Sequence, residues 1–156
     1  MKTKLLEHAA LMAAIMLGAT VAQAEVDKHI MVTPADLVWT DVGSLPKGAK
    51  AAVIEGPMSE AVAFTVRLKF PAGFEIPPHS HPAVERVTVL SGNFNIGMGD
   101  KLNRKHTSAL GAGSVIIMPP GSRHYVWTAE ETVVQLNGTG PWGITYVNPA
   151  DDPRKQ

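Results

Sequence analysis

The sequence of 156 residues contains no cysteine, and its 14 basic and 14 acidic residues give a formal charge of zero at pH 7. The absence of cysteine excludes disulfides, thiol chemistry and thiolate metal ligands. Charges of one sign form no block along the chain, so binding to nucleic acid has no electrostatic basis and is not expected. The fold must be stabilised by its apolar core, by any bound metal, and by any association between subunits.

Several functional signatures are also missing. No segment reads as a long amphipathic helix, and no repeat with a period of roughly 20 to 50 residues occurs. The sequence contains no Ser/His/Asp arrangement, no phosphate-binding glycine loop and no dinucleotide-binding fingerprint. We therefore expect no site for a nucleotide or other organic cofactor.

Residues 1–24 have the pattern of a secretory signal peptide. Lys2 and Lys4 make the start basic, an apolar run follows, and Ala22-Gln23-Ala24 gives a cleavage pattern before Glu25. The apolar run is shorter than the about 20 residues of a membrane span, so we expect no stable membrane anchor. An uncleaved amphipathic helix or anchor is the alternative. We expect an exported protein, located in a bacterial periplasm.

The remaining residues, 25–156, have the length of one domain. We place its core at about 50–148, followed by a short polar C-terminal tail that we expect to be poorly packed. Glycine and proline punctuate this part regularly, and the segments between them read as short strands. The clearest is 61–70, where apolar and polar residues alternate. The polar segment 100–112 is expected to be a loop with one helical turn. The expected strands are 52–55, 61–70, 85–90, 93–98, 114–118, 123–127, 132–137 and 142–147, which favours an all-β antiparallel sandwich or barrel.

Residues 73–92, GFEIPPHSHPAVERVTVLSG, carry a candidate metal site. His79, His81 and Glu85 share one face if they lie on an unbroken strand, although Pro78 and Pro82 allow a turn or bulge that re-aims Glu85. Two imidazoles and a carboxylate form a metal-ligand pattern. A third imidazole is available at His124, where an antiparallel sheet can bring it opposite the pair. Together the four side chains suit one divalent ion of Fe, Mn, Ni, Cu or Zn.

Two sequence motifs are present: Gly73-x5-His79-x-His81-x3-Glu85-x6-Gly92 and Gly113-x5-Pro119-x-Gly121-x2-His124. They resemble the first and second motifs of the cupin superfamily, and the match extends over roughly residues 61–128. The family's usual Asn, four positions after the last motif histidine, is Thr128 here, which puts a turn contact in doubt and not a metal ligand. The chain is similar to small exported single-domain cupins.

The resemblance implies a cupin jelly-roll β-barrel in a single domain, with the metal inside near one mouth. His79, His81, Glu85 and His124 are the metal ligands that it implies, and a homodimer is the expected assembly. The same fold carries out many reactions, so the motifs indicate fold and metal more than activity.

Strand alternation predicts what surrounds the site. Val87 and Val89 share the face of Glu85, and Val126 shares that of His124, with Phe94 and Ile96 on a neighbouring strand. This apolar wall suits a hydrophobic ligand or O2 chemistry kept away from water.

Several other residues also have expected roles. Gln135 is a candidate polar group of the pocket or a buried glutamine satisfied by backbone, Met98 and Met118 are core residues, His29 and His106 are exposed, and Trp142 and Tyr146 are packing or dimer-contact residues.

Two functions of different class follow. The first is a metal-dependent oxidoreductase of the dioxygenase type that acts on a small chelating organic substrate, with Glu85 as a possible base as well as a ligand. The alternative is a non-catalytic module that binds or senses a small molecule, or carries the metal. A sugar epimerase of the same fold is disfavoured, because cupins of that kind work without a metal.

Overall fold

Two antiparallel sheets make up the structure, a computed structural model that describes residues 29–156. The predicted signal peptide at 1–24 lies outside the described residues. Within 29–156 there is no α-helix, and no helix is long and apolar enough to cross a membrane. The predicted all-β sandwich is confirmed. Its strands are β1 (Thr40–Asp41), β2 (Lys50–Glu55), β3 (Ala63–Phe70), β4 (Glu75–Ser80), β5 (Glu85–Ser91), β6 (Asn93–Met98), β7 (Ser108–Gly111), β8 (Val115–Met118), β9 (His124–Trp127), β10 (Thr132–Thr139) and β11 (Thr145–Tyr146).

The two sheets pack with their inner faces against each other. One sheet has the order β1-β2-β3-β10-β5-β8 and the other has the order β11-β4-β9-β6-β7. Phe64, Val66 and Phe70 of β3 are buried on the inner face, as the alternating pattern predicts. Phe70 stacks on Phe74, with ring centroids 5.2 Å apart, and on Phe94 at 6.2 Å. The core is therefore apolar and does not depend on polar groups or ions.

Three strands of the structure, β1, β4 and β7, are absent from the sequence prediction, and the predicted helical turn within 100–112 is absent from the structure. β4 contains Pro77 and Pro78, which have no N–H to donate, and its pairing with β9 is irregular between Ile76 and His79. β7 is mostly exposed, so it has no strong alternating pattern, and it pairs with β6 through the backbone. The predicted strand 142–147 is reduced to Thr145–Tyr146.

The C-terminal tail is mostly exposed, in agreement with the prediction that it is poorly packed, but it is ordered by a few specific contacts. Asp152 is only 7% exposed and holds Arg154 through a two-point ion pair, Nε–Oδ1 at 2.7 Å and Nη2–Oδ2 at 2.8 Å. Arg154 Nη2 also donates to the carbonyl of Ile144 at 3.1 Å. Two 3-10 turns, Pro149–Asp151 and Pro153–Lys155, are started by the side chains of Asn148 and Asp152. Local capping and one ion pair order a segment whose composition alone suggests a loose end.

Alternation along β5 and β10 places side chains mostly as expected. Val87 and Val89 are buried beside Glu85, whereas Arg86 is exposed. Gln135 was expected among apolar neighbours, but it lies on the polar side of β10 and contacts Arg67 and Asn137 through its side chain.

Met98 and Met118, both predicted to be core residues, differ in burial. Met118 is a core residue as predicted, at 3% exposure. Met98 is 57% exposed, so its prediction as core is wrong. It is the last residue of β6, where the sheet no longer covers it.

Candidate metal centre

Four side chains from both sheets meet at one end of the sandwich. His79 lies in β4 directly opposite His124, the first residue of β9, in the same sheet. Glu85 is the first residue of β5, which belongs to the other sheet. The unbroken strand on which His79, His81 and Glu85 would share one face is therefore not formed, and the alternative of a turn that re-aims Glu85 is confirmed. The chain turns between His81 and Glu85, and the carboxylate approaches the imidazoles from the facing sheet.

The distances bring potential ligand atoms together. One ring nitrogen from each of His79, His81 and His124 lies within 4.8 Å of the others. Oε2 of Glu85 is 3.3 Å from His124 Nε2 and 3.5 Å from His81 Nε2. Since Zn–N and Zn–O bonds are about 2.0 to 2.2 Å long, two ligands of one ion are separated by about 3 Å or slightly more. The structure thus brings the three predicted histidines together and places Glu85 beside two of them, His81 and His124.

Backbone carbonyls fix which nitrogen of each imidazole faces the candidate metal centre. Nδ1 of His79 lies 2.7 Å from Pro77 O, Nδ1 of His81 lies 2.7 Å from Gly143 O, and Nδ1 of His124 lies 3.1 Å from Ser122 O. A carbonyl oxygen can only accept, so Nδ1 carries the proton and donates it in all three. Nε2 is then left with a lone pair, which is the form that ligates a metal.

Burial keeps the site neutral while no cation is bound. Burial lowers the pKa of His81 to about 4, although the hydrogen bond to Gly143 O acts in the opposite direction. The pKa of His79 is lowered well below its usual value by burial and then by the neighbouring imidazoles, and burial also lowers the pKa of His124. Burial raises the pKa of Glu85 to about 8. The close Glu85–histidine contacts are therefore not ion pairs in the metal-free protein at pH 7.

Two buried atoms among the candidate ligands indicate whether a metal ion fits the site. Nε2 of His81 and Oε2 of Glu85 are buried and have no hydrogen-bond partner among the described residues. Leaving buried polar atoms unpaired costs free energy, so such atoms call for an explanation. A divalent cation satisfies both at once, and three imidazoles with one carboxylate are a donor set for first-row transition metals. The residues fit the predicted ion.

Trp142 is a neighbour of the site whose position the sequence did not reveal. Its ring stacks on His81, with centroids 4.3 Å apart and planes at 16°. The following residue, Gly143, supplies the carbonyl that anchors His81, and Gly121 of the second motif donates its N–H to the backbone carbonyl of His81 at 2.9 Å. His81 is held from three directions, although it lies just after β4. Trp142 also packs against the core, with its ring centroid 5.5 Å from that of Phe64, so its predicted packing role is confirmed. No ligand-type spacing links it to the histidines.

Thr128, which stands where cupins usually have Asn, keeps a turn contact. It is fully buried, and its hydroxyl donates to Pro71 O at 2.7 Å. The backbone N–H of Gly73 donates to Thr128 O at 2.8 Å. Gly73 has a φ of 75°, a conformation that favours glycine, so this motif position sets the turn before β4.

A cavity of about 250 Å³ opens from the candidate metal centre between the sheets. Val87, Phe94 and Val126 line it, as predicted, together with other aliphatic and aromatic side chains. Apart from the four candidate ligands, the polar side chains that line it are Ser44 and Arg154. A ligand at the metal would therefore be largely surrounded by apolar groups.

The other two histidines within residues 29–156 take no part in this site. His29 and His106 are both exposed, in agreement with the sequence interpretation. Neither belongs to the cluster of His79, His81 and His124.

Comparisons with known proteins agree with this architecture. The family model of the ChrR cupin-like domain matches residues 27–143. Germin-like protein 5-1 of Oryza sativa subsp. japonica is 33% identical over 84 residues, which cover 53% of this chain and 38% of that protein. Matches to several plant germin-like proteins cover between 36% and 52% of their lengths. The chain thus corresponds to between about a third and a half of these relatives.

Solved structures show the same fold at low sequence identity. The polyketide cyclase RemF from Streptomyces resistomycificus superposes with a TM-score of 0.68 at 18% identity, over 82% of this chain and 92% of that one. A salicylate 1,2-dioxygenase from Pseudaminobacter salicylatoxidans gives a TM-score of 0.54 at 12% identity, over 65% of this chain and 31% of that one. At these identities the likeness concerns the fold alone.

Proposed function

Because this chain belongs to the cupin superfamily, we propose that it is an exported metal-dependent oxidoreductase of the dioxygenase type. It holds one divalent transition-metal ion through His79, His81, Glu85 and His124, and it acts on a small organic molecule that chelates this ion. Export is supported by the leader-like sequence of residues 1–24. A homodimer, expected from the resemblance to other cupins, stays a prediction.

The observation that carries this proposal is the position of the candidate ligands. The donor atoms converge at the inner end of an apolar cavity, with the Nδ1 side of each imidazole fixed by a backbone carbonyl. Such a site is organised before a ligand arrives, and it brings a bound organic molecule against the metal. A surface ion site or a structural ion would not need an adjoining apolar cavity.

The residues of the chain have distinct roles in this function. A bound first-row ion supplies Lewis acidity and, for Fe, Mn, Ni or Cu, a route for electrons between an organic ligand and O2. The apolar wall excludes water, which strengthens the electrostatic interactions inside. Glu85 is the one carboxylate among the described residues that line the cavity, so it is also the candidate for removing a proton from the substrate.

Oxygen uptake tests the catalytic proposal. Protein loaded separately with Fe(II), Mn(II), Ni(II) or Cu(II) is offered β-diketones, catechols and flavonols, and O2 consumption is recorded with an electrode. We expect uptake with at least one pairing, and none with the metal-free protein. A fully loaded protein that consumes no O2 across the panel would contradict an oxidoreductase of this type.

A non-catalytic binding or sensing protein is the second candidate. It is favoured by the small number of polar groups in the cavity, where only Ser44 and Arg154 accompany the four candidate ligands. No independent base is present among the described lining residues. This alternative predicts saturable binding of a small chelator, with a melting temperature that rises with ligand concentration and no product formed.

Metal binding is expected to release one proton at pH 7, and that proton comes from Glu85. Its pKa of about 8 in the metal-free protein means that the carboxyl is protonated at pH 7, whereas the lowered histidine pKa values leave the imidazoles neutral. The apparent affinity should therefore rise about tenfold per pH unit between pH 6 and 8 and level off above that. Calorimetry in buffers of different ionisation enthalpy measures the proton count.

Glu85→Gln is the matched variant for this measurement. It keeps the shape of the side chain but has no proton to lose, so binding should be weaker, release no proton and show little pH dependence between pH 6 and 8. Release of two or more protons by the unmodified protein would mean that the imidazoles are charged, which contradicts the assigned protonation.

A further inference from the structure

Arg154 is the only cationic side chain among the described residues that line the cavity. Its side chain is 46% exposed, so it lies on the solvent side of the cavity. It donates to the carbonyl of Ile144, and the adjacent carbonyl, that of Gly143, anchors His81. The guanidinium is therefore attached to the same short segment as a candidate metal ligand.

The hydrogen bonds of Arg154 leave only one nitrogen of the guanidinium unused. Nε donates to Asp152 Oδ1, and Nη2 donates to Asp152 Oδ2 and Ile144 O. Nη1 makes no hydrogen bond to a described residue. Asp152 is buried and holds the guanidinium in one orientation, and its negative charge partly offsets the positive charge that Arg154 presents to a ligand.

The charge and volume of the cavity restrict the ligand further. A divalent cation with one carboxylate ligand leaves one unit of positive charge beside an apolar wall, which an ionised ligand oxygen neutralises. Since an apolar cavity of about 150 Å³ accommodates benzene, a cavity of about 250 Å³ accommodates about ten non-hydrogen atoms. That is the size of one substituted ring.

We propose that the ligand is a single-ring or similarly compact chelator that also carries a carboxylate, and that Arg154 binds this carboxylate at the mouth of the cavity. This inference rests on the proposed metal site and narrows its substrate class. The ionised chelating oxygens lie at the inner end, and the acid group faces solvent, where a charge costs less to bring in. Three-ring chelators such as flavonols are too large for the cavity.

Binding to the zinc-loaded protein tests this inference without turnover, because zinc has no redox chemistry. Calorimetry compares catechol with 2,3- and 3,4-dihydroxybenzoate, which share its chelating group and add a carboxylate. We expect at least one dihydroxybenzoate to bind about tenfold or more tightly than catechol, because its carboxylate accepts a charge-assisted hydrogen bond from Arg154. We expect 3-hydroxyflavone not to bind. Equal affinity for catechol and both acids would overturn the role of Arg154.

Two substitutions separate ligand binding from a structural role. Arg154→Gln and Asp152→Asn remove the same ion pair, so a purely structural role predicts similar effects. Our inference predicts opposite effects on dihydroxybenzoate: Arg154→Gln removes its advantage over catechol, whereas Asp152→Asn raises its affinity about threefold because a competing negative charge is lost. Lys155→Gln, at an exposed neighbour, is the control and should keep the preference of the unmodified protein.

The outcomes also separate this inference from the function on which it rests. Zinc content and the melting temperature establish that each variant is folded and loaded. If the loaded protein binds neither catechol nor the acids, the proposed chelator site is itself wrong. If it binds them without discrimination, or if both variants lose the preference equally, only the role of Arg154 is wrong.

Discussion

Replacing His124 with alanine is expected to lower the affinity for a divalent transition metal by more than about 100-fold, since even the loss of an outer hydrogen-bond partner of a ligand costs about 10- to 100-fold. His124 is 2% exposed and contributes the third imidazole, whose Nε2 lies 3.3 Å from Oε2 of Glu85. Without it, the remaining ligands are two imidazoles and one carboxylate. Elemental analysis after dialysis at pH 7 should find one ion per chain in the unmodified protein and essentially none in the variant. His81→Ala is expected to behave in the same way.

The variant should remain folded, because the core around Phe64, Phe70 and Phe94 is apolar and does not include the metal. Far-UV circular dichroism and the melting temperature of the metal-free forms check this. The rise in melting temperature that metal gives the unmodified protein should be absent from His124→Ala. His106→Ala, at an exposed histidine, should bind metal normally. Retention of one tightly bound ion by His124→Ala would show that the proposed ligand set is wrong.

The second large effect concerns stability and lies on the outer side of the β6–β9 pair. A Cβ atom at Gly97 would lie 2.3 to 2.4 Å from the ring atoms of Tyr125, which is directly opposite in the sheet. The ring cannot easily move, because Tyr125 is 1% exposed and its hydroxyl donates to the carbonyls of Asn103 and His106. Gly97→Ala should destabilise the fold by about 3 kcal/mol, which corresponds to a fall of about 10 °C in melting temperature.

Two comparisons show whether the collision with the Tyr125 ring causes the loss of stability in Gly97→Ala. Gly43→Ala introduces the same methyl group where nothing lies within 4 Å and should be nearly neutral. In the Tyr125→Ala background, Gly97→Ala should cost less than about 1 kcal/mol, because the obstructing ring is gone. The double-mutant cycle compares the free energies of unfolding of the unmodified protein, Gly97→Ala, Tyr125→Ala and the double variant, each measured by chemical denaturation. Additive effects of Gly97→Ala and Tyr125→Ala would contradict the collision.

Short-range sequence patterns predicted most of the sheet framework. β3 was evident because Phe64, Val66 and Phe70 repeat with the two-residue period of a half-buried strand. β4 and β7 were missed because one contains two prolines and the other has little burial to generate a pattern. The order of the C-terminal tail was missed for a related reason. The ion pair between Asp152 and Arg154 is strengthened by the burial of Asp152, and amino-acid composition does not show burial.

For the site, the candidate ligands and the kind of metal that they suit could be predicted from residue types and spacing alone. Imidazole and carboxylate chemistry belongs to the residue types, and the motif spacing marked which residues to consider. Their arrangement was decided only by the tertiary structure. Glu85 comes from the sheet facing the histidines, Trp142 stacks on His81, and Arg154 reaches the cavity from the C-terminus. These contacts join residues far apart in the chain or separated by a turn, and their positions depend on how the two sheets pack, which no local periodicity encodes.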